Sequence, residues 1–162
     1  MYEHLSKRVD SVVKLANKIA REYEQEYVGT EHILLAIVQE GTGVGARILL
    51  DRGATEERIR AEVDKLIKAS LEDTWVFGRL PGTPHFRNVI AQAIEEARKL
   101  NNKEVCTEHL LLGLLKERGC VAHEALRSLG FSTRSVREAV RRISAAKTAG
   151  TGGNGRTGKT TS

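Results

Sequence analysis

The chain has 162 residues, enough for one domain of ordinary size or for two very small ones. Apolar residues make up 40% of it, aromatic residues 4% and charged residues 29%, which favours a helical globular protein and argues against an all-β sandwich. The net charge is +5, but residues 147–162 contribute +3 of it, so the rest carries only +2. The basic pI therefore does not indicate a broad nucleic-acid-binding face.

Membrane and secretory signals are not visible in the sequence. The longest apolar runs, Ile33–Val38 and Leu110–Leu115, are six residues long, whereas a membrane-spanning helix needs about 20. The N-terminal residues lack the hydrophobic segment of a signal peptide. The two cysteines, Cys106 and Cys120, are too few for a disulfide framework. We expect a cytoplasmic protein.

An internal duplication organises the chain. A shift of 77 residues aligns residues 6–66 with residues 83–143, and 16 of the 61 pairs are identical without a gap. The best-matched segment places Thr30-Glu31-His32-Ile33-Leu34-Leu35 on Thr107-Glu108-His109-Leu110-Leu111-Leu112. Ten of the other pairs are apolar in both copies, so the sequence predicts two tandem repeats with the same fold.

The first repeat reads as four helices. Ser6 is the expected N-cap of the first helix, because apolar residues recur after it with helical spacing. A second helix begins at Thr30 and is apolar on nearly all sides, which predicts that it is buried. The third is expected to end at Gly53, where glycine accepts left-handed dihedral angles. The fourth is predicted over about 55–68.

The second repeat follows the same plan. Thr83 is the expected cap of the fifth helix, and Pro84 takes its first position. The sixth helix begins at Thr107, the seventh ends at Gly130, and the eighth is predicted over about 132–146. The double-repeat domain is thus expected to fill residues 1–146, with repeat one over about 5–68, a linker over about 69–82 and repeat two over about 83–146. The Gly- and Thr-rich residues 147–162 are predicted to be a disordered tail.

The repeated Thr-Glu-His sequence has a structural and a functional interpretation. In the structural one, the threonine caps a helix, the glutamate favours the positive helix end and the histidine packs on the first turn. In the functional one, Glu31 and Glu108 lie beside free helix N–H groups. Such a pairing of carboxylate and N–H donors could hold a ligand with adjacent positive and negative charges.

Three other sequence patterns are weaker evidence for a function. Cys106-x-x-His109 and Cys120-x-x-His123 have the spacing of zinc ligands, but the first repeat lacks most of the equivalent ligands, so we predict no metal site. Residues 153–160 match the letters of a phosphate-binding P-loop without the strand and helix that such a loop requires. No arrangement typical of a nucleophile with its base is visible, so neither a cofactor nor an enzymatic activity is predicted.

Basic residues of the last helix leave a second class of function open. Arg134, Arg137, Arg141, Arg142 and Lys147 could contact phosphate groups, although Glu138 interrupts them and no aromatic residue is interleaved for base stacking. The alternative to a protein-recognition module is therefore a nucleic-acid or regulatory binding protein that uses this helix and the tail.

The two Thr-Glu-His segments carry a resemblance to a known family. Tyr27-Val-Gly-Thr-Glu-His-Ile-Leu-Leu-Ala-Ile37 and Val105-Cys-Thr-Glu-His-Leu-Leu-Leu-Gly-Leu-Leu115, together with Thr83-Pro84 and Glu95-Glu-Ala-Arg98, resemble the Clp N-terminal (Clp repeat) domain. The resemblance is greatest to the N-domains of ClpC-type AAA+ unfoldases and covers about residues 2–146. One departure is Cys106, which stands where the family usually has glycine.

The resemblance implies a fold and a function. The fold is all-α, with two four-helix repeats related by pseudo-two-fold symmetry. The function is non-enzymatic: the domain receives substrate or adaptor proteins for an ATP-driven unfoldase and, in ClpC-type members, binds phosphorylated arginine in one pocket per repeat. The family's pocket glutamates correspond to Glu31 and Glu108, next to Thr30 and Thr107. The helix starts at Ser6-Lys7 and Thr83 would receive the phosphate.

Overall fold

The structure is a computed structural model that describes residues 5–24, 28–74 and 84–154. These ranges contain four helices in the first repeat, α1 (Lys7–Glu22), α2 (Thr30–Glu40), α3 (Val44–Asp51) and α4 (Glu56–Thr74). Four more follow in the second repeat, α5 (Pro84–Lys99), α6 (Thr107–Lys116), α7 (Val121–Ser128) and α8 (Thr133–Asn154). A single parallel bridge between Leu5 and Val105 is the one β-type pairing among the described residues. The predicted all-α fold of two four-helix repeats is confirmed.

Several predicted helix boundaries agree with the structure. The Ser6 hydroxyl accepts a hydrogen bond from the Val9 N–H at 3.2 Å and so caps α1. Gly53 and Gly130 follow α3 and α7 with φ angles of 80° and 92°, the left-handed conformation in which glycine is unstrained.

Two helices are longer than the sequence indicated. Helix α4 continues to Thr74 rather than ending near residue 68, so 69–74 of the predicted linker are helical. Helix α8 continues to Asn154, so 147–154 of the predicted tail are helical as well. Neither segment contains a proline, and Ala69 and Leu71 favour continuation of α4. The glycines and threonines of residues 147–154 do not favour a helix, so local propensity does not explain the extension of α8. The remaining linker and tail residues, 75–82 and 155–162, lie outside the described ranges.

Helices α2 and α6 form the centre of the core. Every residue from Thr30 to Val38 is buried, as is every residue from His109 to Leu115. Each central helix packs on the first helix of its own repeat, α1 on α2 and α5 on α6. Burial of apolar side chains on all sides of a helix is the expected source of most of its stability.

The third helix of each repeat packs against the second helix of the other repeat. Helix α3 lies on α6, and α7 lies on α2. The two contacts carry the same hydrogen bond: the Gly45 N–H donates to the Thr107 hydroxyl at 2.9 Å, and the Ala122 N–H donates to the Thr30 hydroxyl at 3.3 Å. Both bonds are buried and are related by the 77-residue shift, so the two repeats pack on each other through equivalent contacts.

Replacing Thr107 by valine should lower the free energy of unfolding by about 1–3 kcal/mol, because the shape is kept while the buried Gly45 N–H loses its acceptor. Thr30→Val should have a similar effect through Ala122. The comparison is urea unfolding of each variant beside Thr133→Val, since the Thr133 hydroxyl makes no hydrogen bond with described residues. Equal stability of all three variants would show that these two hydroxyls do not stabilise the interface between the repeats.

No single helix among the described residues combines the length and apolar composition needed to cross a membrane. Helices α2 and α3 meet that criterion only as a pair, and they are bent by 89° relative to each other.

Candidate functional site

The histidine of each Thr-Glu-His sequence caps its own helix. The Gly29 N–H donates to Nδ1 of His32 at 2.8 Å, and the Cys106 N–H donates to Nδ1 of His109 at 2.8 Å. Burial lowers the pKa of both imidazoles to about 4, so they are neutral at pH 7. This is half of a capping box, with histidine at the position where glutamate or glutamine is usual.

The threonines of the same motif point into the repeat interface. Thr30 and Thr107 are buried, and their hydroxyl oxygens accept the amide hydrogen bonds that join the repeats. These hydrogen bonds give both threonines a structural role. The role of their hydroxyls in ligand binding stays a prediction.

Glu31 is folded back against the start of its own helix. Its side chain is only 8% exposed, and a Cβ atom added to Gly29 would lie 2.6 Å from Oε1 of Glu31. Burial raises the pKa of this carboxyl group. The carboxylate therefore occupies space that is open only because residue 29 is glycine.

The same space is filled in the second repeat. Residue 106, which corresponds to Gly29, is cysteine and carries a Cβ atom. The Glu108 side chain accordingly cannot fold back as that of Glu31 does, and it is half-buried along a groove. The two motif glutamates, identical in sequence, thus have different environments.

The groove beside Glu108 lies between the starts of α1 and α6 and has a volume of about 590 Å³. Its walls come from both repeats and consist of Ser6, Lys7, Arg8, Ser11, Glu40, Val44, Glu104, Cys106, Thr107 and Glu108. We call it the α1–α6 groove. At the edge of the groove the main chains of the two repeats are hydrogen-bonded, since the Ser6 N–H donates to the Val105 carbonyl at 3.0 Å.

The α1–α6 groove brings together four of the seven predicted site residues: Ser6, Lys7, Thr107 and Glu108. Thr30 and Glu31 do not line it. Thr83 lies outside the described residues. Glu108 therefore shares this groove with the start of α1, which belongs to the other repeat.

Positive charge at the groove comes from Lys7 and Arg8. Arg8 is held in place, because its Nε donates to the Thr42 hydroxyl at 2.9 Å and lies 3.7 Å from Oε2 of Glu40. Thr42 also donates to Glu40 at 2.6 Å. Lys7 is exposed and forms no ion pair with the described residues.

Both helix ends at the groove are N-termini, where the first amides have no carbonyl of their own helix to bind. These two helix N-termini favour binding of an anion, and so do the positive charges of Lys7 and Arg8. Glu104 and Glu108 on the α6 side favour a cation. The groove is thus suited to a ligand that carries a positive and a negative group a short distance apart.

The second repeat varies the Arg8–Glu40 pair. At the equivalent positions, Nδ1 of His85 lies 2.6 Å from Oε2 of Glu117, and the Asn88 amide donates to the same oxygen at 3.0 Å. Arginine is replaced by histidine, so the permanent charge at this position is confined to the first repeat.

The candidate zinc ligands are separated. Ligand atoms of Cys106, Glu108 and His109 lie within 4.8 Å of one another, but Cys120 and His123 are not part of that group. The Cys120 sulfur instead accepts the His123 N–H at the start of α7. Both ring nitrogens of His109 are engaged, Nδ1 by the Cys106 amide and Nε2 by Asn102 at 3.3 Å.

One basic residue of α8 is used inside the fold. Arg137 is turned inward and binds Glu96 through Nε at 3.2 Å and Nη2 at 2.9 Å. Arg134, Arg141 and Arg142 are exposed. The side chain of Lys147 lies outside the described part of the chain.

Sequence reasoning missed Arg8, Glu40 and Glu104 as groove residues. One signal was available, because Glu40 and Glu117 are an identical pair of the duplication and are polar at the end of an otherwise buried helix. Glu104 has no such counterpart, since residue 27 of the first repeat is tyrosine.

Comparison with known proteins identifies relatives for nearly the whole chain. The family described as Clp repeat (R) N-terminal domain matches residues 4–74 and 82–161. The chain is 38% identical over 143 residues to the chloroplastic chaperone protein ClpC1 of Oryza sativa subsp. japonica, covering 88% of this chain and 15% of that protein. It is 37% identical over 143 residues to a ClpA homolog, the ATP-binding subunit of an ATP-dependent Clp protease, from Guillardia theta, covering 88% of this chain and 17% of that one.

Solved structures have the same fold. The N-terminal domain of the Clp-protease-associated chaperone ClpD from Arabidopsis thaliana superposes with a TM-score of 0.70 at 19% identity, covering 89% of this chain and 97% of that one. The N-terminal domain of the ClpV1 ATPase from E. coli gives 0.63 at 15% identity, covering 89% and 88%. The resemblance read from the two Thr-Glu-His segments is confirmed.

Proposed function

Since the chain belongs to the Clp repeat N-terminal domain family, we propose that it is a non-enzymatic recognition module, which receives substrate or adaptor proteins for a Clp-type ATP-dependent unfoldase. Cys106 and Cys120 are not joined in a disulfide, which suits a reducing compartment, and we infer that the protein works in the cytoplasm.

The ligand that fits the α1–α6 groove best is phosphoarginine on a protein chain. The proposal rests on one observation, the placement of Glu108 opposite the N-terminus of α1 in a single groove. A guanidinium group binds a carboxylate through two parallel hydrogen bonds, and Glu108 offers that carboxylate. The attached phosphate would lie at the first amides of α1, with Lys7 and Arg8 as counter-ions.

Glu31 supports this assignment by contrast. Its carboxyl group is buried against Gly29 and must turn outward before it can bind a guanidinium group. That rearrangement would cost binding energy, so a pocket formed by Glu31 and Thr83 would be the weaker of the two. We therefore propose the α1–α6 groove as the principal site.

Calorimetric titration with free phosphoarginine tests the proposal. Glu108→Gln should weaken binding at the principal site by at least about tenfold, because the charge-assisted hydrogen bonds to guanidinium are lost. Glu31→Gln should leave that site intact. Glu57→Gln, an exposed glutamate of α4 away from the groove, is the matched control.

Two results would contradict parts of the proposal. Loss of the tighter site in Glu31→Gln but not in Glu108→Gln would place the ligand in the other pocket. No heat of binding with a protein that is folded by circular dichroism would exclude phosphoarginine and leave docking of adaptor proteins as the function.

A further inference from the structure

Another concave site lies in the second repeat, away from the α1–α6 groove. It has a volume of about 450 Å³ and lies among the end of α6, helix α7 and the start of α8. Its lining consists of Leu115, Lys116, Arg118, His123, Arg127, Phe131, Ser132 and Thr133. We call it the α7–α8 cavity. The lining includes three permanently basic side chains and no carboxylate among the described residues.

Two of these cations are not neutralised. Arg118 and Arg127 are exposed, and neither forms an ion pair or side-chain hydrogen bond with the described residues. Lys116 is used elsewhere, because its Nζ lies 2.9 Å from the buried Glu96 carboxylate. The available positive charge of the cavity is therefore that of two guanidinium groups, which suit an oxyanion.

His123 contributes a polar side chain to the same cavity. The side chain belongs to a residue that is only 7% exposed, and its Nδ1 lies 2.8 Å from the Leu115 carbonyl oxygen, to which it donates. The other ring nitrogen, Nε2, makes no hydrogen bond with the described residues. Since Nδ1 is turned to the carbonyl, Nε2 is the polar atom that His123 offers to a ligand in the cavity.

The start of α8 adds main-chain donors. The Ser132 hydroxyl accepts the Ser135 N–H at 3.1 Å and so caps the helix. The amides of Thr133 and Arg134 precede the first intrahelical hydrogen bond and have no carbonyl of α8 to bind. A helix N-terminus next to two arginines is a favourable place for a phosphate group.

The duplication supplies an internal comparison. In the first repeat the eight equivalent residues include no cation and one acid; they are Val38, Gln39, Gly41, Ala46, Leu50, Ala54, Thr55 and Glu56. Leu50 replaces Arg127 and is 44% exposed. The fold is the same in both repeats, so packing does not require an arginine at position 118 or 127.

We propose that the α7–α8 cavity binds a phosphate-class oxyanion through Arg118, Arg127 and the first amides of α8, with His123 as a further polar contact. None of the eight lining residues lines the α1–α6 groove, so this inference does not depend on the proposed function. The phosphate could be inorganic or carried by a phosphorylated protein side chain, and both present the same oxygen atoms to the site.

Residue-resolved NMR titration at low ionic strength tests the site. The probes are inorganic phosphate and a phosphoserine peptide, with the unphosphorylated peptide as reference. We expect saturable shifts of the Thr133 and Arg134 amides with a phosphate-bearing probe. Arg127→Leu, which introduces the residue of the first repeat, should weaken binding by at least about tenfold. Arg21→Leu, an exposed arginine of α1, is the matched control and should bind as the unmodified protein does.

The two probes separate the sources of the phosphate. Tighter binding of the phosphopeptide than of inorganic phosphate would assign the site to a phosphorylated protein, and equal binding would assign it to the free anion. The proposal is overturned if neither probe moves these amides saturably. It is also overturned if the double variant Arg118→Ala/Arg127→Leu binds both probes as tightly as the unmodified protein.

Discussion

Replacing Glu96 by alanine is expected to lower the free energy of unfolding by about 3 kcal/mol. The Glu96 side chain is 1% exposed, and Lys116 Nζ and Arg137 Nη2 each lie 2.9 Å from its Oε2. Burial alone would raise the pKa of this carboxyl group, but the hydrogen bonds and charges of Arg137 and Lys116 outweigh it and lower the pKa to about 2. Removal of Glu96 leaves two partly buried cations from α6 and α8 without their shared partner. Urea unfolding at pH 7 measures the loss.

The first repeat suggests how the loss can be repaired. Ile19 stands at the position of Glu96, and Arg60 and Gln39 bind Glu56 of α4 instead. Glu96→Ile combined with Lys116→Gln and Thr133→Glu copies that arrangement around Arg137. We expect the triple variant to be more stable than Glu96→Ile alone. If both are equally unstable, the ion-pair geometry of the first repeat is not transferable. If Glu96→Ala is as stable as the unmodified protein, the buried cluster contributes nothing to folding.

Most of the fold followed from the sequence because local signals agreed with the duplication. Ser6, Gly53 and Gly130 act at single positions, where a hydroxyl or a missing side chain decides the local backbone. The apolar sequence of α2 and α6 predicted their burial for the same local reason. The ends of α4 and α8 carry no such residue, and these helices continue to Thr74 and Asn154, beyond the bounds that the sequence predicts.

The arrangement of the site did not follow from the sequence, because the shift of 77 residues shows which positions are equivalent and not which positions touch. Packing of α3 on α6 and of α7 on α2 puts the start of α1 beside Glu108. The difference between Glu31 and Glu108 depends on a single Cβ atom, present in Cys106 and missing in Gly29. Such a steric effect acts between neighbouring side chains in three dimensions, and a count of identical residues does not contain it.

Acid is expected to destabilise the fold well above the pH at which carboxylates normally titrate. His32 and His109 are buried, and burial lowers the pKa of each to about 4 from a usual value of 6.5. The unfolded chain binds their protons first, so each contributes stability that is present above pH 6.5 and is lost as the pH falls towards 4. Together the loss between pH 7.5 and pH 4.5 should be about 5 kcal/mol, which is comparable with the whole stability of a small domain. Urea unfolding at several pH values across this interval measures it.

Substitution by glutamine isolates the two histidines. Glutamine at the third helical position accepts the same amide hydrogen bond as part of a capping box and does not titrate. The double variant His32→Gln/His109→Gln should therefore keep the caps at Gly29 and Cys106 while losing most of the pH dependence. His85→Gln, at a half-exposed histidine of α5, is the matched control for the substitution itself. Glu31 acts in the opposite direction, because burial raises its pKa and its protonation favours the folded state as the pH falls. An unchanged pH profile in the double variant would show that other groups cause the acid sensitivity. The two buried histidines would then contribute to packing only.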